Sequence, residues 1–334
     1  MIEASTPVRI CDNGGWTDTW FGGPGRVLNI AVSPGVEVTI RTTTGPGSVV
    51  LDVEDFDDRY SVVPGESRPV RHPLLEAAID ALPPPRDLAL EIGVRCAVPP
   101  GCGCGTSAAV AVAVLGALTA LRSEAVSPRA IAYAAHRLEV ELVGAQSGIQ
   151  DQLSAAFGGI NYLEIEPYPE ATVQSLGVWE ALGSCLTLVF LGRAHDSSEV
   201  HRRVIEDVGL RRAEVLGRLR EAAVAARRAV VSRDLRAFGQ TMIANTEAQK
   251  SLHPALVGVD ATRVIEVAAE LGAIGWKVNG AGGDGGSVTI LSPTPQAKES
   301  LEHSVTAVDA RYRVLPVRIS PVGLQIRGAP KEVP

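Results

Sequence analysis

The stretch of sequence that decides the fold is AVPPGCGCGTSAAVAVAVLGAL, residues 97–118. Three glycines alternate with Cys102 and Cys104, and a long run of small apolar residues follows. Two interpretations fit this composition: a metal site built on the cysteines, or a phosphate-binding loop in front of a buried helix. Zinc sites commonly separate their cysteines by about two to four residues. Here one residue separates the cysteines, and no second Cys or His pair has a matching spacing. The interpretation as a metal site is therefore disfavoured.

The glycines at 101, 103 and 105 favour the phosphate interpretation. Glycine reaches positive φ and has no Cβ, so successive backbone N–H groups of such a loop can turn toward one ligand. A helix that begins near Thr106 would point its positive dipole end and its unpaired N–H groups at the same place. Ser107, in the first turn, could offer its hydroxyl to a phosphate or to Mg²⁺. A tight turn without a ligand is the alternative.

Two familiar nucleotide-binding motifs do not fit this loop. A Walker A loop ends in Gly-Lys-Ser/Thr, which is missing here. A dinucleotide-binding loop has the spacing G-x-G-x-x-G, whereas this loop has the spacing G-x-G-x-G. The loop therefore belongs to neither class.

Composition and charge limit the partners of the protein. The 334 residues suffice for one large or two smaller domains, and a hydrophobic fraction of 46% is ordinary for a soluble globular protein. The formal net charge of -7 argues against a nucleic-acid groove, which needs a basic face. No apolar stretch suggests a membrane span and no signal-peptide pattern is evident, so a cytoplasmic location is expected. The five scattered cysteines, an odd number, indicate reduced thiols.

Periodicity predicts a strand-rich first third that is followed by helices. β-branched residues and alternation predict strands at 26–32, 36–42, 48–53, 88–98 and 160–165. Turn signals are found at 33–35, 44–47 and 83–85. Helices are predicted at 106–122 and 128–143. The second has Ser127 at its N-cap, Pro128 at its first position and Gly144 after its end.

A stretch with little periodicity, 166–184, is expected to divide the chain into two domains, 1–175 and 176–334. The second domain is predicted to hold a buried strand at 185–192, long helices between about 198 and 250, a helix at 260–272, a glycine loop at 277–286 and strands at 287–291 and 312–319. Because strands and helices interleave without a strict βαβ rhythm, the predicted fold class is α+β.

Two acidic residues follow the first glycine loop, in LEVELVGAQSGIQDQLSAAFGG, residues 138–159. Glu139 lies at the edge of the apolar stripe of its helix, where it is either a metal ligand or a boundary glutamate that reaches water. Glu141, four residues after Arg137, looks like half of an exposed ion pair. Asp151 follows a turn glycine among polar residues and is either a general base or a helix cap.

Two further glycine-bearing stretches carry polar residues. KVNGAGGDGGSVTIL, residues 277–291, could close its backbone over phosphates or over the first glycine loop. PVRICDNGGWTDTWFGG, residues 7–23, places Arg9 and Asp18 around paired glycines. Taken alone, Arg9 could pair with a surface acid and Asp18 could cap a turn.

Taken together and in this order, the four stretches resemble the GHMP kinase superfamily over nearly the whole chain. PPGCGCGTSAA is similar to the family's phosphate loop, P-x-x-x-G-L-G-S-S-A, with Cys104 in place of Leu and Thr106 in place of the first Ser. KVNGAGGDGG is similar to the third family motif, K-L-S-G-A-G-G-G-G, with Asn279 for Ser and Asp284 for a Gly. The resemblance implies the family's two-domain α+β fold, in which an N-terminal domain with a left-handed βαβ-type phosphate-loop unit precedes a ferredoxin-like C-terminal domain.

The family pattern also implies roles for individual residues. Asp151 and Arg9 would be catalytic, with Asp151 placed against the hydroxyl to be phosphorylated, and Ser107 and Glu139 would bind Mg²⁺. The substrate would be bound by Asp18, Thr17 and Gly15. ATP would be bound by residues of the two glycine loops: Gly101, Cys102, Gly103, Cys104, Gly105, Thr106, Ser107, Gly280, Gly282 and Gly283.

Within the superfamily, GGWTDT and GIQDQLSAAFGGINYLEI are most similar to the branch of D-glycero-D-manno-heptose 7-phosphate kinases and L-fucokinases, and LGRAHDSSEVH, residues 191–201, fits the same branch. The branch implies phosphorylation of the anomeric C1 hydroxyl of a sugar or sugar phosphate, a heptose 7-phosphate above all, by a monomer or homodimer.

The alternatives concern the substrate and the activity. The segment after Asp18 is shorter than in typical heptose kinases, so another sugar or a C7-cyclitol phosphate is the alternative substrate. A catalytically silent sugar sensor is the alternative function. A homoserine or mevalonate kinase is disfavoured by the pair Thr17 and Asp18.

Overall fold

The protein consists of two β-sheets with helices packed on them. The structure, a computed structural model, describes residues 1–45, 47–65, 70–194, 200, 204 and 212–328. Within these ranges the larger sheet has nine strands and the smaller sheet has four. Strands and helices mix in both halves of the chain, which confirms the predicted α+β class. No helix within the same ranges combines the length and the apolarity needed to cross a membrane.

The larger sheet is built mainly by the first half of the chain. Its strands are β1 (Ile2–Asn13), β2 (Gly25–Thr44), β3 (Val49–Val53), β4 (Asp58–Val62), β5 (Leu88–Cys96), β6 (Ile160–Ile165), β7 (Ala171–Ser175), β12 (Arg318–Ile319) and β13 (Gln325–Arg327). Six of them follow the order β13-β1-β2-β5-β3-β4, while β6 and β12 also pair with β2, and β7 pairs with β6. Among the described strands of this sheet, β3 and β5 are the one parallel pair.

The smaller sheet is antiparallel, in the order β11-β8-β10-β9. Its strands are β8 (Leu186–Phe190), β9 (Gly275–Val278), β10 (Ser287–Leu291) and β11 (Arg313–Leu315). The helices of the two halves are α1 (Pro73–Ala81), α2 (Thr106–Leu121), α3 (Pro128–Arg137), α4 (Gln150–Phe157), α5 (Glu180–Gly183), α6 (Arg212–Ser232), α7 (Leu235–Leu252), α8 (Val259–Glu270) and α9 (Pro295–Val308).

Helix α2 forms the centre of the core, as its composition requires. Nearly all of its side chains are buried, and it packs on β1, β2 and α4. A helix that is apolar on every side must be enclosed, because water would otherwise meet apolar surface on one face. At Gly116 an added Cβ would lie 2.8 Å from the side chain of Leu324, so glycine leaves room for Leu324 to pack against α2. The enclosed helix fixes the position of the glycine loop at its N-terminus.

The structure differs from the predictions at two points near the site. The turn predicted at 33–35 is wrong, because β2 continues through it. The pairing of β1 with β2 shifts register between Thr6 and Val8, so this segment is an irregularity within the ladder. The helix predicted at 128–143 begins as expected, with Ser127 accepting a hydrogen bond from Ala130 N, but from Leu138 to Leu142 it is a π-helix. This segment carries Glu139.

The predicted strand 312–319 divides between the two sheets. Its first part, β11, pairs with β8, whereas its second part, β12, pairs with β2, and β13 then pairs with β1. The end of the described chain therefore completes the larger sheet. Of the long helices predicted from 198 to 250, residues 198–199, 201–203 and 205–211 lie outside the described residues, as do 195–199 and 201 of the branch motif.

Candidate functional site

The stretches singled out in the sequence meet around one cavity of about 280 Å³. Its walls are the first glycine loop with the start of α2, the end of β1, the π-helical segment, the loop before α4, and the tip of the second glycine loop. The charged residues that line it are Arg9, Asp12, Asp18, Glu139 and Asp151. Residues separated by more than 250 positions in the sequence thus share one site.

The first glycine loop brings backbone against charged side chains. Gly105 is the N-cap of α2 with φ of 67°, and no side chain caps the helix, so the N–H groups of its first turn face the cavity end of the helix. A Cβ at Gly105 would lie 2.9 Å from Cγ of Asp151. Ser107 is exposed in the first turn. The geometry is that of an anion-binding helix terminus beside a carboxylate.

The second glycine loop closes on the first. A Cβ at Gly280 would lie 2.8 Å from the carbonyl oxygen of Gly103, so glycine permits this contact. Ser287 Oγ donates to the carbonyl of Cys102 at 2.7 Å and joins the first loop to β10. The smaller sheet therefore helps to hold the first glycine loop in place.

Arg9 and Asp151 form a bidentate ion pair at the bottom of the cavity. Arg9 Nε lies 2.7 Å from Asp151 Oδ1, and Nη2 lies 3.0 Å from Oδ2. Arg9 also donates from Nη1 to the Gly103 carbonyl and from its backbone N to the Cys104 carbonyl, the latter at 2.9 Å. Burial works against the charge of Arg9, but Asp151 and Asp12 outweigh it and keep its pKa above the ordinary value. The pair aligns the carboxylate and the phosphate loop with each other.

Three consecutive residues at the start of α4 each serve a different charged group. Gln150 donates from its backbone N to Asp18 Oδ2 at 3.2 Å, Asp151 pairs with Arg9, and Gln152 Nε2 donates to Glu139 Oε2 at 2.6 Å. The side chains of Gln150 and Gln152 are buried. One helical turn thus sets the relative positions of two acids and one ion pair.

Glu139 fits the role of a magnesium ligand. Both of its hydrogen bonds, from Ser147 Oγ at 3.0 Å and from Gln152, end on Oε2. Burial raises the pKa of Glu139 to about 7, and the charge of Asp151 adds to this effect. A cation in the cavity would offset both, and the Ser107 hydroxyl and Glu139 carboxylate are hard oxygen donors of the type Mg²⁺ prefers. Mg²⁺ commonly keeps several waters and binds substrate phosphates beside one or two carboxylates, so two protein ligands are compatible with such a site.

A second buried ion pair, Asp12 with Lys277, was missed by the sequence reasoning. Lys277 Nζ lies 3.1 Å from Asp12 Oδ1 and 3.2 Å from Gln249 Oε1, and both charged side chains are almost fully buried. Asp12 Oδ1 also accepts from Gly280 N at 3.2 Å. The pair ties β1 to β9 and to the second glycine loop. Its signal in the sequence was one charged residue at the end of β1 and one within β9, and neither gives a hint of its partner.

The structure brings most of the predicted site residues together but leaves some outside the cavity. Thr17 is fully buried, and its hydroxyl donates to the Gly14 and Arg26 carbonyls at 2.6 and 3.0 Å, so it stabilises the turn that presents Asp18. The other predicted residues that do not line the cavity are Gly15, Cys104, Gly282 and Gly283. Thr106 does line it, and its hydroxyl is buried without a hydrogen-bond partner.

The burial of Asp18 predicts a pH-dependent contribution to stability. Burial, with the charge of Asp151 second, raises the pKa of Asp18 from 3.8 to about 7. Between these values the native protein holds a proton that the unfolded chain releases, so the free energy of unfolding falls as the pH rises from about 4 to about 7. We expect wild type to lose at least about 2 °C more of Tm between pH 5 and pH 8 than Asp18→Asn does. Thermal denaturation at the two pH values measures this, and equal losses would contradict it.

Comparison with known proteins supports this assembly of motifs. Residues 73–159 match the family model described as GHMP kinases N terminal domain. The D-glycero-alpha-D-manno-heptose 7-phosphate kinase of Campylobacter jejuni is 22% identical over 306 residues, which cover 88% of this chain and 90% of that protein. The mevalonate kinase of Pyrococcus horikoshii is 28% identical over 275 residues, which cover 79% of this chain and 78% of that protein.

The fold is shared with solved structures. The crystal structure of a D-glycero-D-manno-heptose 1-phosphate kinase from Bacteroides thetaiotaomicron superposes with a TM-score of 0.77 at 20% identity, covering 98% of this chain and 99% of that chain. The two-domain α+β fold implied by the resemblance is thereby confirmed. Family match, relatives and fold agree: residues 73–159 match the GHMP kinase N-terminal domain, most of the chain is similar to kinases that share this fold, and the protein is a kinase.

Proposed function

We propose that the protein transfers the γ-phosphoryl group of ATP to the anomeric C1 hydroxyl of a sugar or sugar phosphate, of heptose 7-phosphate type, and releases a sugar 1-phosphate. The observation that carries the proposal is the carboxylate of Asp151 beside the uncapped N-terminus of α2, with Arg9 bound to it. This arrangement supports a role for Asp151 as a proton acceptor next to a phosphate-binding loop. An acceptor hydroxyl that enters between them is activated where the phosphoryl group arrives.

Each residue of the cavity has its own role in the proposed reaction. The two glycine loops bind the phosphates through backbone N–H groups, and Asp151 orients the hydroxyl and takes its proton. Arg9 holds Asp151 in place and adds positive charge near the transferring group. Mg²⁺, when bound by Ser107 and Glu139, supplies further neutralisation of phosphate charge. Asp18, buried in the wall of the same cavity, is the residue we assign to the hydroxyls of the sugar.

The support for a sugar comes from Asp18 and from the similarity to heptose kinases; the C1 position is proposed from the branch resemblance. Among the described residues that line the cavity, Arg9 is the one cation, and it is paired with Asp151. A 7-phosphate group would therefore need a cation from outside this set. For this reason another sugar or a C7-cyclitol phosphate stays the alternative substrate. We also propose that residues 1–175 and 176–334 are the two domains, with β12 and β13 returning to the first.

An ADP-release assay over a panel of acceptors tests the proposal. The panel contains heptose 7-phosphates, fucose, galactose, C7-cyclitol phosphates, homoserine and mevalonate. We expect ADP release with a member of the sugar or cyclitol set, and a ³¹P signal coupled to the anomeric proton of a sugar product. Turnover with mevalonate or homoserine alone would overturn the sugar assignment, and a phosphate at another carbon would overturn the C1 assignment. Sugar binding without ADP release would identify a sensor.

Glu139→Gln tests the metal-binding role. Removing the negative charge of one of two ligands is expected to raise the Mg²⁺ concentration for half-maximal rate by at least about tenfold, which corresponds to ~1.4 kcal/mol. The matched control is Glu141→Gln, because Glu141 lies on the same π-helical segment and is exposed. Magnesium titrations of both variants measure the effect. An unchanged titration for Glu139→Gln would remove it from the metal site.

A further inference from the structure

The phosphate loop carries two thiols in contact with each other. The sulfurs of Cys102 and Cys104 lie 3.5 Å apart, and neither forms a disulfide. The reaction proposed above uses neither sulfur, and the family motif has Leu in place of Cys104. Both side chains are buried, but Cys102 borders the cavity together with Gly101 and Gly103. A small solute in the cavity therefore meets the loop that carries this pair.

The surroundings of the two sulfurs make them unequal. A hydrogen bond from Cys104 lowers the pKa of Cys102 against the effect of burial, and Ser287 and Arg9 act in the same direction. The same contact, with burial second, raises the pKa of Cys104. Cys102 is thus the nucleophile of the pair and Cys104 the proton donor. A lowered thiol pKa and a neighbouring resolving thiol are two of the features that make a cysteine susceptible to peroxide.

We propose that Cys102 and Cys104 are a site of reversible oxidative modification, at which a peroxide closes a disulfide within the phosphate loop and disables it. In the first step Cys102 sulfur attacks hydrogen peroxide, the O–O bond breaks, and sulfenic acid and one water form. In the second step Cys104 sulfur attacks the sulfenic sulfur, the S–O bond breaks, and the disulfide and a second water form. Two electrons pass from the two thiols to the peroxide, which is the oxidant.

The disulfide would change the geometry that the site depends on. An S–S bond is about 2.05 Å long, so the sulfurs must approach by roughly 1.5 Å, and the loop between them must move. The carbonyls of Gly103 and Cys104 both accept hydrogen bonds from Arg9. Movement of the loop therefore displaces the backbone N–H groups and disturbs the partner of Asp151. Because so short a disulfide ring is strained, mild thiols reduce it again.

The test is peroxide treatment of the reduced full-length protein, followed by alkylation, digestion without reductant and mass spectrometry. We expect the peptide with both cysteines to lose two hydrogens, binding of a fluorescent ATP analogue to weaken at least tenfold in parallel, and dithiothreitol to reverse both changes. Bound MgATP should slow the reaction. Recovery of both cysteines as free thiols, a disulfide without loss of binding, or a loss that dithiothreitol does not reverse would each overturn the proposal. The effect of the disulfide on turnover rests on the proposed function. Mass spectrometry detects the disulfide even if the protein phosphorylates none of the acceptors in the panel.

Two variants and one reagent complete the test. Cys104→Ser, compared with its own untreated state, should form no disulfide at Cys102, whereas Cys96→Ser, which removes a thiol on β5 outside the cavity, should respond as wild type does. If Cys104→Ser does not fold, phenylarsine oxide on the wild-type protein replaces it, because trivalent arsenic bridges two adjacent thiols. One arsenic per chain, excluded by MgATP and removed by a dithiol, supports the pair. No arsenic uptake would overturn it.

Discussion

Asp151→Asn is expected to lower turnover by about 10²–10⁴-fold, the usual contribution of a positioned general base. The amide cannot accept the proton of the hydroxyl, but its oxygen can still accept a hydrogen bond from Arg9, whose Nε lies 2.7 Å from Asp151 Oδ1 in the wild type. The phosphate loop should therefore stay in place, and ATP binding should change little. ADP-release kinetics and nucleotide titration measure the two quantities separately.

The control for this variant is Asp57→Asn. Asp57 is exposed, far from the charged cavity residues in the sequence, and has a φ of 48°, which asparagine tolerates well. The Asp57→Asn substitution removes the same charge from the chain as Asp151→Asn but leaves the site unchanged, so turnover should equal that of wild type. If Asp151→Asn keeps near-normal turnover with a sugar acceptor, Asp151 is not the base and the proposed chemistry is wrong.

Lys277→Met is expected to destabilise the native state by about 3–5 kcal/mol, because it leaves the buried carboxylate of Asp12 without its direct partner. The side chains of Lys277 and Asp12 are only 1% and 2% exposed, so water cannot replace the lost cation. The double variant Asp12→Asn with Lys277→Met removes both charges and should recover much of the loss. Urea unfolding followed by tryptophan fluorescence measures all three proteins.

Lys298→Met is the matched control for this prediction. Lys298 pairs with Glu302 one helical turn away at 3.7 Å, and both side chains are partly exposed. Such pairs are worth about 0.3–0.5 kcal/mol, so the midpoint of unfolding should barely move. Equal effects for Lys277→Met and Lys298→Met would contradict the prediction that loss of the buried partner of Asp12 destabilises the native state.

The parts of the candidate site that could be predicted from the sequence are those formed by residues close together in the chain. The glycines before α2, the acid after Gly148 and the second glycine loop are local patterns. The family match, over residues 73–159, covers the first two of them. Ser127 and Pro128 marked the start of α3 for the same reason, because an N-cap acts within one helical turn.

The sequence did not reveal what depends on distant partners. Nothing next to Asp12 indicates Lys277, 265 positions away, and nothing next to Glu139 indicates that Gln152 donates to it. The Ser-Pro-Gly signal at 33–35 predicted a turn, but pairing of β2 with its neighbours kept the segment extended. The Thr17 hydroxyl was expected to bind the substrate. It instead contacts the backbone carbonyls of Gly14 and Arg26, which the sequence does not indicate.

The pairing of β13 with β1 has a consequence for biosynthesis. Glu3 lies opposite Arg327, so the edge of the strand that carries Arg9 stays unpaired until almost the whole described chain has left the ribosome. Contacts of such long sequence separation slow folding, and an open strand edge invites pairing with other chains. Nascent chains stalled before residue 325, where β13 begins, should therefore depend on chaperones.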